Sequence, residues 1–480
     1  MTIDLRRFSI RGLHSKFDVD IPIRDNKLIL VGVNGLGKTT VVNILYFLIT
    51  EQWYRLKEYD FVDVTLEISG SRHTVSRGDL ESIDDFREQI FGYIRTSSSR
   101  YMVPSRVAER LVSHPRFIEF FNSDDLSRAS FLESIGEDLG ISASMLGRLM
   151  RALPRQIQTD LFSYPSSIRD LSAALGHFGD YQVLYLPTYR RIEQDLRAIF
   201  PSLDDSQVKE ITNKGMNGSK SAGRGHVELI EFGMEDVEQK IEHELNMIRD
   251  SARSQLSNLT ASYLRDIIRN RAAGFDRDLI GVLDTKTVRA VLSRVEENTL
   301  DANDKMELEA VIGRIRDDQK PTAERDRYLA HFFSRLYEIY KSLSNSERNI
   351  QRLVEICNKY LDGKRLHYSD SEYTAHVAGR DGKPIDWKHL SSGEKQVASL
   401  FTHLFLSKEK MQLVIIDEPE LSLSVPWQKT LLPDIVESGG CSLLVAVTHS
   451  PFIYSNELDV YAVDLAACIK EVNSTDSAGA

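Results

Sequence analysis

Between the apolar run Lys27-Leu28-Ile29-Leu30-Val31 and a stretch of helical spacing, Lys38–Glu51, the chain reads Gly32-Val33-Asn34-Gly35-Leu36-Gly37-Lys38-Thr39. A buried strand that feeds a Gly-rich loop and then a helix is a phosphate site, and it demands an open α/β sheet around it. The glycines let backbone N–H groups close around a β-phosphate, and the helix N-terminus adds the positive end of its dipole. Gly32, Asn34, Gly35, Gly37, Lys38, Thr39 and Thr40 are therefore the candidate nucleotide-binding residues. Lys38 is placed to reach the β- and γ-phosphates, and the Thr39 hydroxyl to ligate Mg²⁺.

A second apolar run, Leu413-Val414-Ile415-Ile416-Asp417-Glu418, delivers two carboxylates at its end, where α/β sheets place ligands. Asp417 is the candidate partner of Thr39 at Mg²⁺, and Glu418 the candidate catalytic group that orients and polarises the attacking water. Leu390-Ser391-Ser392-Gly393-Glu394-Lys395-Gln396 lies shortly before this run, and Thr448-His449-Ser450-Pro451 follows it. In this order the four elements resemble those of ABC-type ATPases. The resemblance implies an α/β fold, an ABC-type P-loop ATPase head with a large, mainly helical insertion. It implies ATP and Mg²⁺ as cofactors and conversion of ATP and water to ADP and phosphate. It makes Ser391, Ser392, Gly393 and Glu394 a signature that acts on the γ-phosphate held by a second protomer, so that a homodimer sandwiches its nucleotides head to tail. It makes His449 the switch histidine beside the γ-phosphate, a second catalytic candidate. Plainer readings stand beside these: Ser-Ser-Gly-Glu also caps a helix, and a lone histidine is an ordinary loop residue.

Apolar residues make up 41% of the 480 positions and charged ones 27%, enough to bury the cores of two soluble domains. The formal charge of −11 argues against a surface that binds nucleic acid everywhere. The longest apolar candidate, Val41–Thr50, is too short to cross a bilayer and contains Asn43, and the N-terminus does not read as a secretory signal. Cys357, Cys441 and Cys468 lack metal-ligand spacing and read as reduced, so the expectation is a cytoplasmic protein without membrane partners.

The pattern along the chain divides the head. Residues 1–79 form its N-terminal part with the phosphate loop, 80–180 a helical insertion, and 181–195 a return strand. Residues 196–388 form a helical or short coiled-coil insertion, and 389–480 the C-terminal part with signature, carboxylate strand and switch histidine. Within the second insertion, Met234–Tyr263 and Tyr328–Tyr360 carry apolar residues at three- and four-residue steps. They predict two helices of roughly 45–60 Å at 1.5 Å per residue, an antiparallel hairpin or one face of an ordinary helical domain. Leu132–Met150 has the spacing of a helix-turn-helix with Arg148, Arg151 and Arg155 outward. Two packed helices joined by a Gly turn explain it equally, and Glu133, Glu137 and Asp138 oppose DNA binding.

Asp417-Glu418-Pro419-Glu420-Leu421-Ser422-Leu423 resembles the run of SMC-like and OLD-like ATPases rather than that of membrane transporters. Those families continue with His, two variable residues and Trp-Gln; here Ser424 replaces the His before Val425-Pro426-Trp427-Gln428. The insertion is too short for SMC arms, and the 31 residues after His449 leave no room for the nuclease domain of OLD proteins. Arg11-Gly12-Leu13-His14, Asn26-Lys27-Leu28 and Tyr185-Leu186-Pro187-Thr188-Tyr189-Arg190-Arg191-Ile192-Glu193 resemble the ATPases of two-gene anti-phage defence systems. They are most similar to the PARIS ATPase family (AriA), with the Septu family (PtuA) second. The PARIS resemblance implies a higher oligomer of dimers that holds a separate TOPRIM-type nuclease inactive until a phage-encoded trigger protein releases it. The Septu resemblance implies an HNH nuclease partner. A RecF-like DNA-repair ATPase is the alternative of another class, and DNA remains an optional partner. Arg190 and Arg191 are candidates for a Q-loop or phosphate-facing basic pair, or a surface pair capping the next helix.

Overall fold

The computed structural model describes residues 4–83, 136, 142, 144, 146–147, 165–176, 181–186, 226–228, 234–269, 280–295, 300–317, 323–407 and 411–471. The chain forms two compact units, Met1–Glu231 with Glu409–Ala480, and Phe232–Lys408.

The first unit is built on two sheets. β1 (Leu5–Leu13), β2 (Phe17–Pro22), β4 (Asp63–Ile68), β5 (Ser71–Ser76) and β14 (Ile469–Glu471) pair antiparallel in the order β14-β2-β1-β4-β5. Their residues alternate, as in β4, where Val64, Leu66 and Ile68 are buried between more exposed neighbours. β3 (Lys27–Val31), β6 (Tyr181–Leu186), β7 (His226–Glu228), β11 (Met411–Asp417), β12 (Cys441–Thr448) and β13 (Ala462–Asp464) pair parallel in the order β13-β3-β12-β11-β6-β7. β3, β11 and β12 are apolar without alternation because both of their faces are buried.

Helix α1 (Lys38–Ile49) lies in the layer between the sheets. Val41, Val42, Ile44, Leu45, Phe47 and Leu48 leave it no exposed stripe, which is the pattern of a helix enclosed on all sides. A single core joins Phe8, Ile10 and Leu66 of the antiparallel sheet, α1, and Leu28, Ile415 and Val445 of the parallel sheet. Each such side chain contributes about 1.5–3 kcal/mol on burial. Tyr185 of β6 stacks on Tyr46 with ring centroids 4.3 Å apart and donates its hydroxyl to Asn43 Oδ1. Tyr181 donates to the Ile49 carbonyl at 3.1 Å, so α1 is fixed in rotation as well as buried. Helix α2 (Ser166–Gly176) adds Ile168, Leu171 and Leu175 to this core, and Leu146 joins it. The rest of the segment with helix-turn-helix spacing, including Arg148, Arg151 and Arg155, lies outside the described residues.

The second unit contains α3 (Glu235–Ile268), α4 (Thr285–Ser293), α5 (Ala302–Arg316), α6 (Glu324–Lys359) and α7 (Ser392–Leu406). α3 and α6 run antiparallel. The C-terminal end of α3 meets the start of α6 through Asp266 with His331 and Arg335, and Tyr263 against Phe332. Its N-terminal end meets α7, where Lys240 donates to His403 Nδ1 and to Ser407 Oγ, while Tyr360 and Arg352 of α6 reach Phe401 and Phe405. α4 and α5 pack a separate small core against Leu259, Phe333 and Leu336. β8 (Lys364–Ser369), β9 (Thr374–Gly379) and β10 (Pro384–Ile385) form an antiparallel meander between α6 and α7 that the sequence reading did not assign.

A buried ion pair ties α6 to the residue after α4. The Arg294 guanidinium makes two 2.6 Å bonds to the Glu347 carboxylate, whose side chain is 0% exposed, and it lies over the Tyr340 ring. Removing one partner of such a pair strands the other charge. Glu347→Ala is therefore expected to destabilise the protein by roughly 3–5 kcal/mol in denaturant unfolding. The apolar double replacement Arg294→Met/Glu347→Leu is expected to recover most of that loss.

Candidate nucleotide site

Three adjacent parallel strands end together. Thr448 at the end of β12 is opposite Val31 at the end of β3, and Val447 is opposite Asp417 at the end of β11. The carboxyl edge of a parallel sheet is where such folds gather ligand groups, because loops leave there and helices begin there. Here it gathers the loop Gly32–Gly37, the Asp417-Glu418 pair and His449.

The loop takes its shape from glycine. Gly35 and Gly37 have φ of 85° and 83°, and a Cβ on either would meet no crowding, so their demand is conformational. Val33, Asn34 and Gly35 form the exposed tip, while Gly37 begins α1. Lys38 is 5% exposed and folds back to donate to the Gly32 and Val33 carbonyls at 3.0 and 3.2 Å. Its ammonium also lies 2.7 Å from His449 Nε2. Burial pulls the Lys38 pKa down, against the carboxylates of Glu418, Asp417 and Glu420, which favour its charge.

Thr39 Oγ1 donates to Asp417 Oδ2 at 2.9 Å across 378 positions of sequence. A hydroxyl and a carboxylate side by side at a phosphate loop are the hard oxygen donors that Mg²⁺ takes from a protein when phosphates and water complete its shell. Thr39 and Asp417 fit that role, and Thr40 lies one residue further into α1.

Glu418 leaves the strand in the left-handed conformation, φ 50°, with its amide bonded to the Val447 carbonyl at 2.8 Å. For a non-glycine residue this conformation costs on the order of 1–2 kcal/mol. The turn brings Glu418 Oε1 to 3.5 Å from His449 Nε2. Burial raises the Glu418 pKa, and the charges of Asp417 and Glu420 push it the same way, against His449 and Lys38.

The signature segment belongs to the second unit. Ser391 caps α7: its hydroxyl accepts from the Glu394 amide at 3.4 Å, and Glu394 Oε2 accepts from the Ser391 amide at 2.6 Å. Glu394 is buried and paired with Lys364 of β8 at 2.7 Å, which holds its carboxyl below the usual range despite burial. Ser391 and Glu394 thus build the helix start, leaving Ser392 half-exposed in the first turn beside the buried Gly393. Ser424 sits exposed before α8 (Val425–Glu437) and makes no side-chain cap. Arg190 and Arg191 lie outside the described residues; β6 ends at Leu186, opposite Ile416, on the same sheet edge as the site.

Two residues that the sequence reading passed over contact the switch loop. Glu420 accepts from the backbone amides of His449 and Ser450, and Gln428 accepts from the Ser450 hydroxyl. The acidic fourth place of Asp417-Glu418-Pro419-Glu420 and the Gln after Trp427 were visible as letters, but nothing in their spacing says that they reach β12.

The fold is α/β, with the Gly32–Gly37 loop at the carboxyl edge of a parallel six-stranded sheet and a mainly helical second unit inserted into the chain. A family profile described as "AAA domain, putative AbiEii toxin, Type IV TA system" matches residues 245–455, somewhat under half of the chain. Among solved structures, the chain is similar to an Smc head domain from Pyrococcus furiosus, with an extended coiled coil and bound to the C-terminal domain of ScpA. That match has 14% identity, a TM-score of 0.33, and covers 98% of this chain and 96% of that one. It is also similar to an Smc head domain with a coiled coil and joint from Pyrococcus yayanosii, at 14% identity, TM-score 0.30, and 95% and 93% coverage. No curated protein matches the chain. Among the described residues no helix is long and apolar enough to cross a membrane.

A general base acts only when deprotonated, so raising its pKa moves the acid limb of the rate upward. ATP turnover is expected to fall as pH drops through a midpoint above the ordinary carboxylate value of 4.5. In Glu418→Gln that limb should vanish and turnover should fall by about 10²–10⁴-fold, with ATP binding retained, as read from kcat–pH profiles.

Proposed function

We propose that the chain is the ATP-binding and hydrolysing subunit of a two-component anti-phage defence complex, a nucleotide-gated scaffold and sensor that holds and releases a separate nuclease. The hydrolytic part rests on one observation. Lys38, Thr39, Asp417, Glu418 and His449 meet at the carboxyl edge of three adjacent strands. In this reading the loop amides and Lys38 hold the β- and γ-phosphates, and Thr39 with Asp417 holds Mg²⁺, which neutralises phosphate charge when bound. Glu418 orients the attacking water and accepts its proton, while His449 faces the γ-phosphate. Ser392 and the first amides of α7 complete the site of a second copy, as the resemblance to ABC-type ATPases implies. Slow turnover suits a protein whose output is a conformational state.

The defence role is carried by the resemblance to the PARIS family, and the matching profile names a Type IV TA system. A nuclease, TOPRIM-type in the PARIS reading, would come from the second protein and dock on the helical insertion. A phage-encoded protein would release it.

Lys38→Ala is expected to lose ATP binding while folding normally, and Ser392→Arg to lose turnover. Mixing the two chains should restore part of the ATPase, because one composite site of each mixed dimer is intact. Lack of rescue in verified heterodimers with one sufficient site would count against shared sites. For the wider role, cells carrying this chain with its neighbouring gene should resist phage, and cells carrying it alone should not. A lone chain that protects cells or degrades DNA or RNA in clean preparations would sink the scaffold reading.

A further inference from the structure

Two residues after Glu418 the chain sends a third carboxylate back to β12. Glu420 Oε1 accepts from the His449 amide at 2.7 Å and from the Ser450 amide at 3.1 Å. The next residue, Pro451, has no N–H, so of the two backbone donors that precede the one-turn helix Pro451–Tyr454 Glu420 takes that of His449 and shares that of Ser450 with Thr448 Oγ1, which lies at 3.0 Å. Its other oxygen, Oε2, is shielded from solvent and has no hydrogen-bond partner among the described residues. A carboxylate placed so calls for a reason, because a cap alone is available more cheaply from a neighbouring Ser or Asp. Ser450 is such a neighbour, yet its hydroxyl is given to Gln428 Oε1 at 2.7 Å. Gln428 in turn donates to the Leu423 carbonyl at 2.9 Å, one residue before Ser424.

The consequence is mechanical. His449 and Ser450 are held from outside their own strand, at two points, by the segment that begins at Glu418. The backbone that carries the imidazole therefore cannot move relative to Glu418 unless the Pro419–Ser422 turn moves with it. We propose that Glu420 is a positioning residue for hydrolysis: it acts through His449, fixing the imidazole opposite Lys38 and Glu418, with Gln428 as the second point of attachment. This rests on the nucleotide-site reading above. It also gives the segment around Ser424 a route to the site, since a displacement there pulls on Leu423, Gln428 and Ser450 in turn.

The test compares Mg-ATP turnover of the full chain as wild type, Glu420→Ala, Glu420→Gln, His449→Ala and the double variant Glu420→Ala/His449→Ala. Glu420→Ala should lower kcat by about 100-fold, the loss typical of a reacting group misplaced by an ångström. KM for ATP should stay within about threefold, because the phosphate contacts are untouched. Glu420→Gln keeps a carbonyl oxygen for the two amides and should retain most of kcat. The double variant should be no slower than His449→Ala, since a group acting only through His449 has nothing left to act through. Multiplicative losses in the double variant overturn the proposal. So does wild-type turnover in His449→Ala, or a Glu420→Gln chain as impaired and as heat-labile as Glu420→Ala. Lys38→Ala run in parallel separates the two readings: undiminished turnover there means that the nucleotide site itself is misassigned.

Discussion

The hydrogen bond from Thr39 to Asp417 joins the first turn of α1 to the end of β11, and the geometry of the site follows from what makes that bond possible. β12 lies between β3 and β11, so the two side chains reach each other across the end of an intervening strand. They do so only if all three strands keep their register. That register is set by burial on both faces: a shift by one residue would exchange the side chains facing α1 with those facing away. α1 contributes from the other side, because its enclosure between sheets and its bonds to Tyr181 and Tyr185 prevent it from rolling. The loop itself can then be glycine-rich and exposed, its precision supplied by its two ends.

Much of this was legible in the sequence. β3, β11 and β12 read as short apolar runs bounded by Gly, Asp-Glu and Thr-His, and the structure places them at Lys27–Val31, Met411–Asp417 and Cys441–Thr448. The three- and four-residue steps around Leu245 and Leu353 gave α3 and α6, whose packing is antiparallel but is interrupted at the far end by α4, α5 and their own core. The meander β8–β10 was not legible for a physical reason. β8 buries only Leu366 fully and β9 only Val377 and Ala378, so neither strand shows the alternation of a half-buried sheet. Within the site, Asp417, Glu418 and His449 could be named because each stands at or just past the end of a recognisable strand, and Lys38 and Thr39 because they open the helix after a Gly-rich loop. Glu420 and Gln428 could not, since their partners are backbone and hydroxyl groups about 20 to 30 positions away.

The signature segment shows how a structural and a functional reading can divide one motif between them. Ser391 and Glu394 satisfy each other across the first turn of α7, and Lys364 neutralises the carboxylate that this arrangement buries. The cap therefore joins α7 to the β8 strand, and the turn after β8 is tied to α3 through Tyr373 with Arg249 and to the end of α4 through Asp370 with Arg294. Ser392 and Gly393 are spared from capping. In the proposed sandwich they are the residues that meet phosphate, and their placement is inherited from the capped, ion-paired start of α7 together with its buried apolar face, Val397, Leu400 and Phe401.

The sheet order also constrains how the protein is made. β3 leaves the ribosome early, yet its two neighbours in the sheet are β12 and β13, and Lys38 waits 411 positions for His449. Until those late strands emerge, the apolar faces of β3 and α1 have no parallel sheet to complete, and the nascent chain must be kept from pairing its exposed edge elsewhere. Non-local strand pairing of this kind closes slowly. Chains that stop short of β12 and β13 therefore lack both neighbours of β3, and such fragments leave its two edges open to pairing with other chains.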